Sequence, residues 1–164
     1  MKKVISIGLI GFGTIGTGVI KLLRKNGELI AGRLGAELRL QRIADIDIRK
    51  SRGITVDDSL LTTNAADILN DPGIDIVVEL MGGYEPARTF ILTAMGQGKH
   101  VVTANKALLA THGDEIFRGA VQHGVNIGAV QLRGSLGATF EAMVTRAKAV
   151  KEIFDNPSKA IEKY

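Results

Sequence analysis

Three glycines in the spacing Gly-x-Gly-x-x-Gly, Gly11, Gly13 and Gly16, stand directly after the β-branched apolar run at 4–10 and directly before a pattern of helical period. A strand, a tight turn and a helix start in that order are what holding a dinucleotide pyrophosphate requires. Gly11 permits the turn, Gly13 removes a Cβ where backbone must approach phosphate, and Gly16 lets the helix lie close to the strand. The unpaired N–H groups at the helix start, around Thr14 and Ile15, then face the anion. A glycine-rich turn without a ligand is the plainer alternative; the flanking strand and helix patterns favour the first.

Further along, Asp45 follows a second β-like run, where an acid can accept hydrogen bonds from ribose hydroxyls. It lies further from Gly16 than the usual ~20 residues, an excess assigned to a Gly-rich loop at 28–36. Its alternative role is to cap a turn. Arg49, Lys50 and Arg52 follow closely and suit a 2′-phosphate, so both NAD and NADP stay open. Gly82 and Gly83 come after the most β-like stretch of the chain, 74–80. Lys106 comes after Asn105 at the end of another strand pattern, on the same expected sheet edge as Gly11, Asp45 and Gly82. His100, His112 and His123 lack ligand spacing and read as structural. No metal site is expected, and without cysteine there are no disulfides or thiolate nucleophiles.

The elements that must position these residues alternate between strand and helix. Apolar spacing predicts a helix over 15–23 stopped by Asn26-Gly27, a strand over 38–44 and a short strand near 59–62. A short helix at 65–69 and the strand at 74–80 come next, the latter apolar enough for a buried parallel strand. Then follow a helix from Glu85-Pro86 to about Gly96, a strand over 100–103, helical pieces at 107–110 and 114–123, and a strand over 125–130. This order predicts an α/β fold, a doubly wound, Rossmann-type, mostly parallel sheet. One dinucleotide-binding domain is expected at 1–130, followed by a linker and C-terminal helical extension at 131–164. In the extension, Phe140, Met143, Val144, Val150 and Phe154 stripe one face of a helix over 138–154. Such a face either folds back on the sheet or builds a homodimer.

Composition narrows the class. With 164 residues the chain can bury a sizeable core. Aromatics are 4 % and Trp is absent, so the core must be aliphatic. The net charge of +4 is spread among acids without aromatic interleaving, which argues against nucleic acid. No apolar run reaches the ~18 residues of a membrane span, and the expected location is the cytoplasm.

With these pieces in place, the chain resembles the N-terminal nucleotide-binding domain of homoserine dehydrogenase over about residues 3–127. The match is carried by 7–18, by Ala44-Asp45, by 77–87 (Val-Val-Glu-Leu-Met-Gly-Gly-Tyr-Glu-Pro-Ala) and by 98–110 (Gly-Lys-His-Val-Val-Thr-Ala-Asn-Lys-Ala-Leu-Leu-Ala). The last two blocks are specific; generic dinucleotide folds do not share them. The resemblance implies NAD(P)H-dependent interconversion of aspartate 4-semialdehyde and homoserine, on the route to threonine and methionine. It implies that Gly82 and Gly83 pass the nicotinamide side of the cofactor, that Asn105 belongs to the cofactor site, and that Lys106 serves proton transfer. Residues 127–136 depart from the family's Glu-containing segment and Gly-Gly-x-Pro turn, so its monovalent-cation site is not carried over. The family's substrate and dimerisation domain has no counterpart before Tyr164. The chain alone is therefore expected to bind cofactor and turn over poorly, or to act as a non-catalytic NAD(P)-binding module through a partner.

Overall fold

The computed structural model describes residues 3–129. The expected linker and C-terminal extension, with the helix over 138–154 and its association surface, lie outside the described residues. The fold expectation is met: six parallel strands form one sheet in the order β3-β2-β1-β4-β5-β6. They are β1 (Lys3–Ile10), β2 (Ala36–Ala44), β3 (Leu61–Thr62), β4 (Ile76–Glu79), β5 (His100–Thr103) and β6 (Ile127–Ala129). Helices α1 (Thr14–Leu34), α2 (Ala66–Leu69), α3 (Ala87–Gly96) and α4 (Lys106–Gln122) lie in the connections. Among the described residues no helix is long and apolar enough to cross a membrane.

Strand alternation sorts the core into two layers. Leu9 and Ile43 face α1 and pack with Phe12 and Ile20. Their neighbours Ile10 and Ala44 face the other way, joining Val77 and Val101 against Ile91, Met95, Leu108 and Ile116 of α3 and α4. The core is aliphatic, as the shortage of aromatics requires. The chain winds outward from β1 to β2 and β3, then crosses to β4 on β1's other side. The sheet's switch point therefore falls between β1 and β4, where open α/β sheets form their ligand crevice.

Three elements differ most from expectation. Helix α1 does not stop at Asn26-Gly27; it runs to Leu34 and ends at Gly35 in the left-handed region, φ 67°, whose N–H donates to the Ala31 carbonyl. The loop expected at 28–36 is therefore helix for most of its length, and extra turns account for the distance to Asp45. A glycine inside a helix costs ~1 kcal/mol. Burying Ile30 and Leu34 with Ala36 against Leu22, Leu23 and Leu38 returns ~1.5–3 kcal/mol per large side chain, so packing wins. Likewise α4 is one helix, not two pieces, because Leu108, Ile116 and Ala120 bury one continuous face. Finally, the strand near 59–62 shrinks to Leu61–Thr62. A 3₁₀ turn over Asp58–Leu60, capped by the Asp57 carboxylate on the Ser59 N–H at 2.9 Å, takes its first half.

Candidate functional site

One transverse row of the sheet runs through Thr62, Ala44, Ile10, Glu79, Thr103 and Ala129, and β1 to β5 end at it. The loops that follow therefore emerge side by side, strand spacing being ~4.8 Å. Backbone bonds extend the pairing one step further: Gly11 N–H donates to Ala44 O at 2.9 Å and Leu80 N–H to Ile10 O at 2.8 Å. Gly11, Asp45, Gly82, Gly83, Asn105 and Lys106 thus share one edge, as their sequence positions predict.

At the centre of that edge the glycine turn meets its steric requirements. Gly11 has φ +102°, and a Cβ there would lie 2.8 Å from the Leu80 carbonyl carbon. A Cβ on Gly16 would overlap the Gly11 carbonyl oxygen, so the helix could not approach the strand. Gly13 differs: nothing lies within 4 Å of its absent Cβ. It is the N-cap of α1, with no side-chain hydrogen bond to the first turn and no acid within it. Thr14 is exposed and Ile15 half-buried beside it. An uncapped helix start facing open space has the free N–H groups and dipole end that an anion can meet.

Next to it, Asp45 is more occupied than a ribose ligand needs to be. Its Oδ2 accepts the Phe12 N–H at 2.6 Å; its Oδ1 accepts the Asp47 N–H at 2.9 Å and faces Arg52 Nη2 at 3.1 Å. The turn-capping role weighed for Asp45 is thus present. A carboxylate offers about four acceptor positions, so one remains for a hydroxyl. Arg52 also donates to the Phe12, Lys50 and Asp47 carbonyls, and its guanidinium stacks 4.4 Å from the Phe12 ring centroid. With four carbonyl or carboxylate partners and a side chain 8 % exposed, it is committed to the loop and is a poor phosphate anchor. Arg49 and Lys50 are exposed at the same corner. Sequence patterning did not separate the three cations, because burial of a cation is a tertiary property.

On the other side of the glycine turn, Gly82 and Gly83 are exposed, Gly82 has no atom within 4 Å of its Cβ position, and Gly83 has φ +78°. The Asn105 side chain spans from this loop to α4: Nδ2 donates to Gly83 O at 2.6 Å, and Oδ1 accepts the Leu108 N–H at 3.1 Å as the helix N-cap. Lys106 is the first residue of α4 and its side chain is exposed. Beneath the loop lies a residue that pattern reading passed over as part of a strand. Glu79 is 0 % exposed, accepts the Met81 N–H at 2.6 Å and the Thr103 hydroxyl, and is pushed up by burial against the pull of those two bonds. An acid inside an otherwise apolar parallel strand was the signal that could have found it. At the far side, Arg88 of α3 makes a two-pronged ion pair with Glu115 of α4, 2.7 Å on each arm, and a third bond to Glu85, which holds both carboxylates below their usual range.

The sequence profile described as "Homoserine dehydrogenase, NAD binding domain" matches residues 11–129. Among curated proteins, the homoserine dehydrogenase of Methylobacillus glycogenes is 48 % identical over 108 residues, covering 66 % of this chain and 26 % of the relative. That of Bacillus subtilis is 34 % identical over 125 residues, covering 76 % of this chain and 29 % of the relative. Among solved structures, a homoserine dehydrogenase from Thiobacillus denitrificans shares 47 % identity with a TM-score of 0.73, over 78 % of this chain and 30 % of that one. The chain spans less than a third of the length of these relatives.

Proposed function

This chain belongs to the homoserine dehydrogenase family as its NAD-binding domain, and from that premise we propose that the shared sheet edge is the cofactor half of a site that interconverts aspartate 4-semialdehyde and homoserine. The observation that carries the reading is the uncapped start of α1 opening at Gly13 on the same edge as Lys106. The residues present fit a dinucleotide: the α1 N-terminus for the pyrophosphate, the remaining acceptor of Asp45 for ribose, and the open faces of Gly82 and Gly83 for the nicotinamide end. The cofactor supplies the hydride when bound. The chain's own residues bind and orient it and manage the proton. Lys106 Nζ presents a cation and a proton to the substrate oxygen that turns from carbonyl to hydroxyl.

Both NAD and NADP fit this corner. The charge of Asp45 is balanced by Arg52, which lessens its repulsion of a 2′-phosphate, and exposed Arg49 and Lys50 stand ready to meet one. Substrate positioning supplies several kcal/mol of a barrier. The chain spans less than a third of the length of those relatives, which supports a substrate side of the site built from residues outside 3–129.

Calorimetric titration with NADH and NADPH tests the cofactor reading. Gly13→Val places a branched side chain at the start of α1 and is expected to abolish binding in a protein that remains folded; unchanged affinity refutes the assignment. For the chemistry, homoserine-dependent reduction of NAD(P) by the chain fused to the remaining length of a homoserine dehydrogenase relative should fall by about 10²–10⁴ in Lys106→Ala, the span typical of a lost proton-transfer group. Retained turnover excludes Lys106 from that role.

A further inference from the structure

Five polar groups close a ring around the nicotinamide end of the edge. Glu79 Oε1 accepts the Met81 N–H at 2.6 Å, and the backbone runs on through Gly82 to Gly83. Gly83 O accepts from Asn105 Nδ2 at 2.6 Å. The Asn105 N–H donates to Thr103 Oγ1 at 3.0 Å, and the Thr103 hydroxyl donates back to Glu79 Oε2. Gly82 is part of the backbone path that closes the ring, and Lys106 is the next residue after Asn105.

We propose that Glu79 is a positioning residue for the nicotinamide half of the site, acting through Thr103 and Asn105 on the 81–83 loop and on the start of α4. The inference rests on the cofactor reading above and adds the part that holds its nicotinamide end in shape. Glu79 has no packing reason to be an acid. Its neighbours Val77 and Val78 are buried apolar residues, and an acid in their company costs free energy unless each oxygen is used. Both oxygens are used: one bond holds the 81–83 loop directly, and the other reaches that loop through Thr103 at the end of β5 and Asn105.

The polarity of the ring matters as much as its connectivity. The single hydroxyl proton of Thr103 goes to Glu79, which leaves a lone pair aimed at the Asn105 N–H. That bond fixes the backbone of the α4 N-cap, whose side chain then grips Gly83. A glutamine at 79 breaks this order. Its amide N–H meets either the Met81 N–H or the Thr103 proton, so one donor faces another. If the threonine hydroxyl reverses, its own proton loses its acceptor.

The test compares the 164-residue chain with Glu79→Gln, Thr103→Val and Thr103→Ser, titrating each with NADH and with ADP-ribose, which lacks the nicotinamide. NADH is expected to bind the native chain more tightly than ADP-ribose does. Glu79→Gln and Thr103→Val should each weaken NADH by about tenfold, the equivalent of one well-formed hydrogen bond, and leave ADP-ribose unchanged. Thr103→Ser, which keeps the hydroxyl, should retain native NADH affinity. The threonine pair decides the matter if Glu79→Gln does not fold. Equal losses for both ligands, no loss for either, equal binding of the two ligands by the native chain, or a serine variant no better than the valine variant would each overturn the proposal while leaving the cofactor reading standing. A native chain that binds neither ligand removes the cofactor reading, and this inference with it.

Discussion

At the scale of single residues, the acid–base pair behind the glycine turn shows how a position can be right while its environment is hidden. Asp45 follows the end of β2 on the shared edge, as its sequence position predicts, yet most of its acceptor capacity is spent on the Phe12 and Asp47 N–H groups and on Arg52. The pair is nearly buried, with side chains 15 % and 8 % exposed. Removing one partner of such a pair leaves a charge without its counterion, which costs ~3 kcal/mol or more. Arg52→Ala is therefore expected to lower unfolding free energy by about 3 kcal/mol. It should also weaken both NADH and NADPH, because the Phe12 backbone loses its clamp. Denaturant titration giving a loss below ~1 kcal/mol would show that solvent replaces the guanidinium and that the clamp is cosmetic.

Elements answer to packing before propensity. Helix α1 carries Gly27 and Gly32 in mid-course, and neither has an atom within 4 Å of its Cβ position. Their backbone is not in the left-handed region. They are tolerated because the turns beyond them bury Ile30 and Leu34. Gly27→Ala should then stabilise the fold by ~0.5–1 kcal/mol, since it removes unfolded-chain freedom without a clash. Thermal unfolding that shows no gain would mean that the open space beside residue 27 is filled in the folded chain. Glycine alone thus does not end a helix: at 35 and 124 it does so through φ of 67° and 63°, while at 27 it does not.

For the whole molecule, pH stability is set by groups far from the ligand edge as well as at it. His100 joins β5 to the segment before β6: its Nδ1 accepts the Asn126 N–H at 3.0 Å, which only an imidazole with that nitrogen unprotonated can do. Burial pushes its pKa below the usual 6.5, against the opposing pull of Asp75. The native state then binds fewer protons than the unfolded chain, so its contribution is present above about pH 6.5 and is lost as pH falls through the lowered value. Glu79 carries the opposite sign: its raised pKa makes its contribution largest below the usual 4.5 and smaller as pH rises through the folded value. Between pH 7.5 and 5.5, stability should therefore decline on acidification, and His100→Gln, whose amide oxygen keeps an acceptor, should flatten that decline. Denaturant unfolding at the two pH values reads the difference; equal slopes in both proteins would assign the loss to other groups.

What the sequence determined by itself is the part of this protein governed by local chemistry and period. Gly11, Gly13 and Gly16 follow a β-branched run, strands alternate with helices, and Asn105-Lys106 follows a strand end. Each of these depends on near neighbours in the chain, so each was legible, and together they carried the parallel sheet and the set of residues on its ligand edge. Tertiary structure decided where neighbours are distant in sequence. It carried α1 past Gly27, because the apolar surface that holds its last turns belongs largely to β2. It joined α4 into one helix over a face supplied by α3 and the sheet. It withdrew Arg52 from the basic trio by closing it onto Phe12, and it turned Glu79 from one letter in a strand into the base of the 81–83 loop. Burial and the directions of hydrogen bonds between strands arise only when the chain has folded, and no spacing rule along a single strand encodes them.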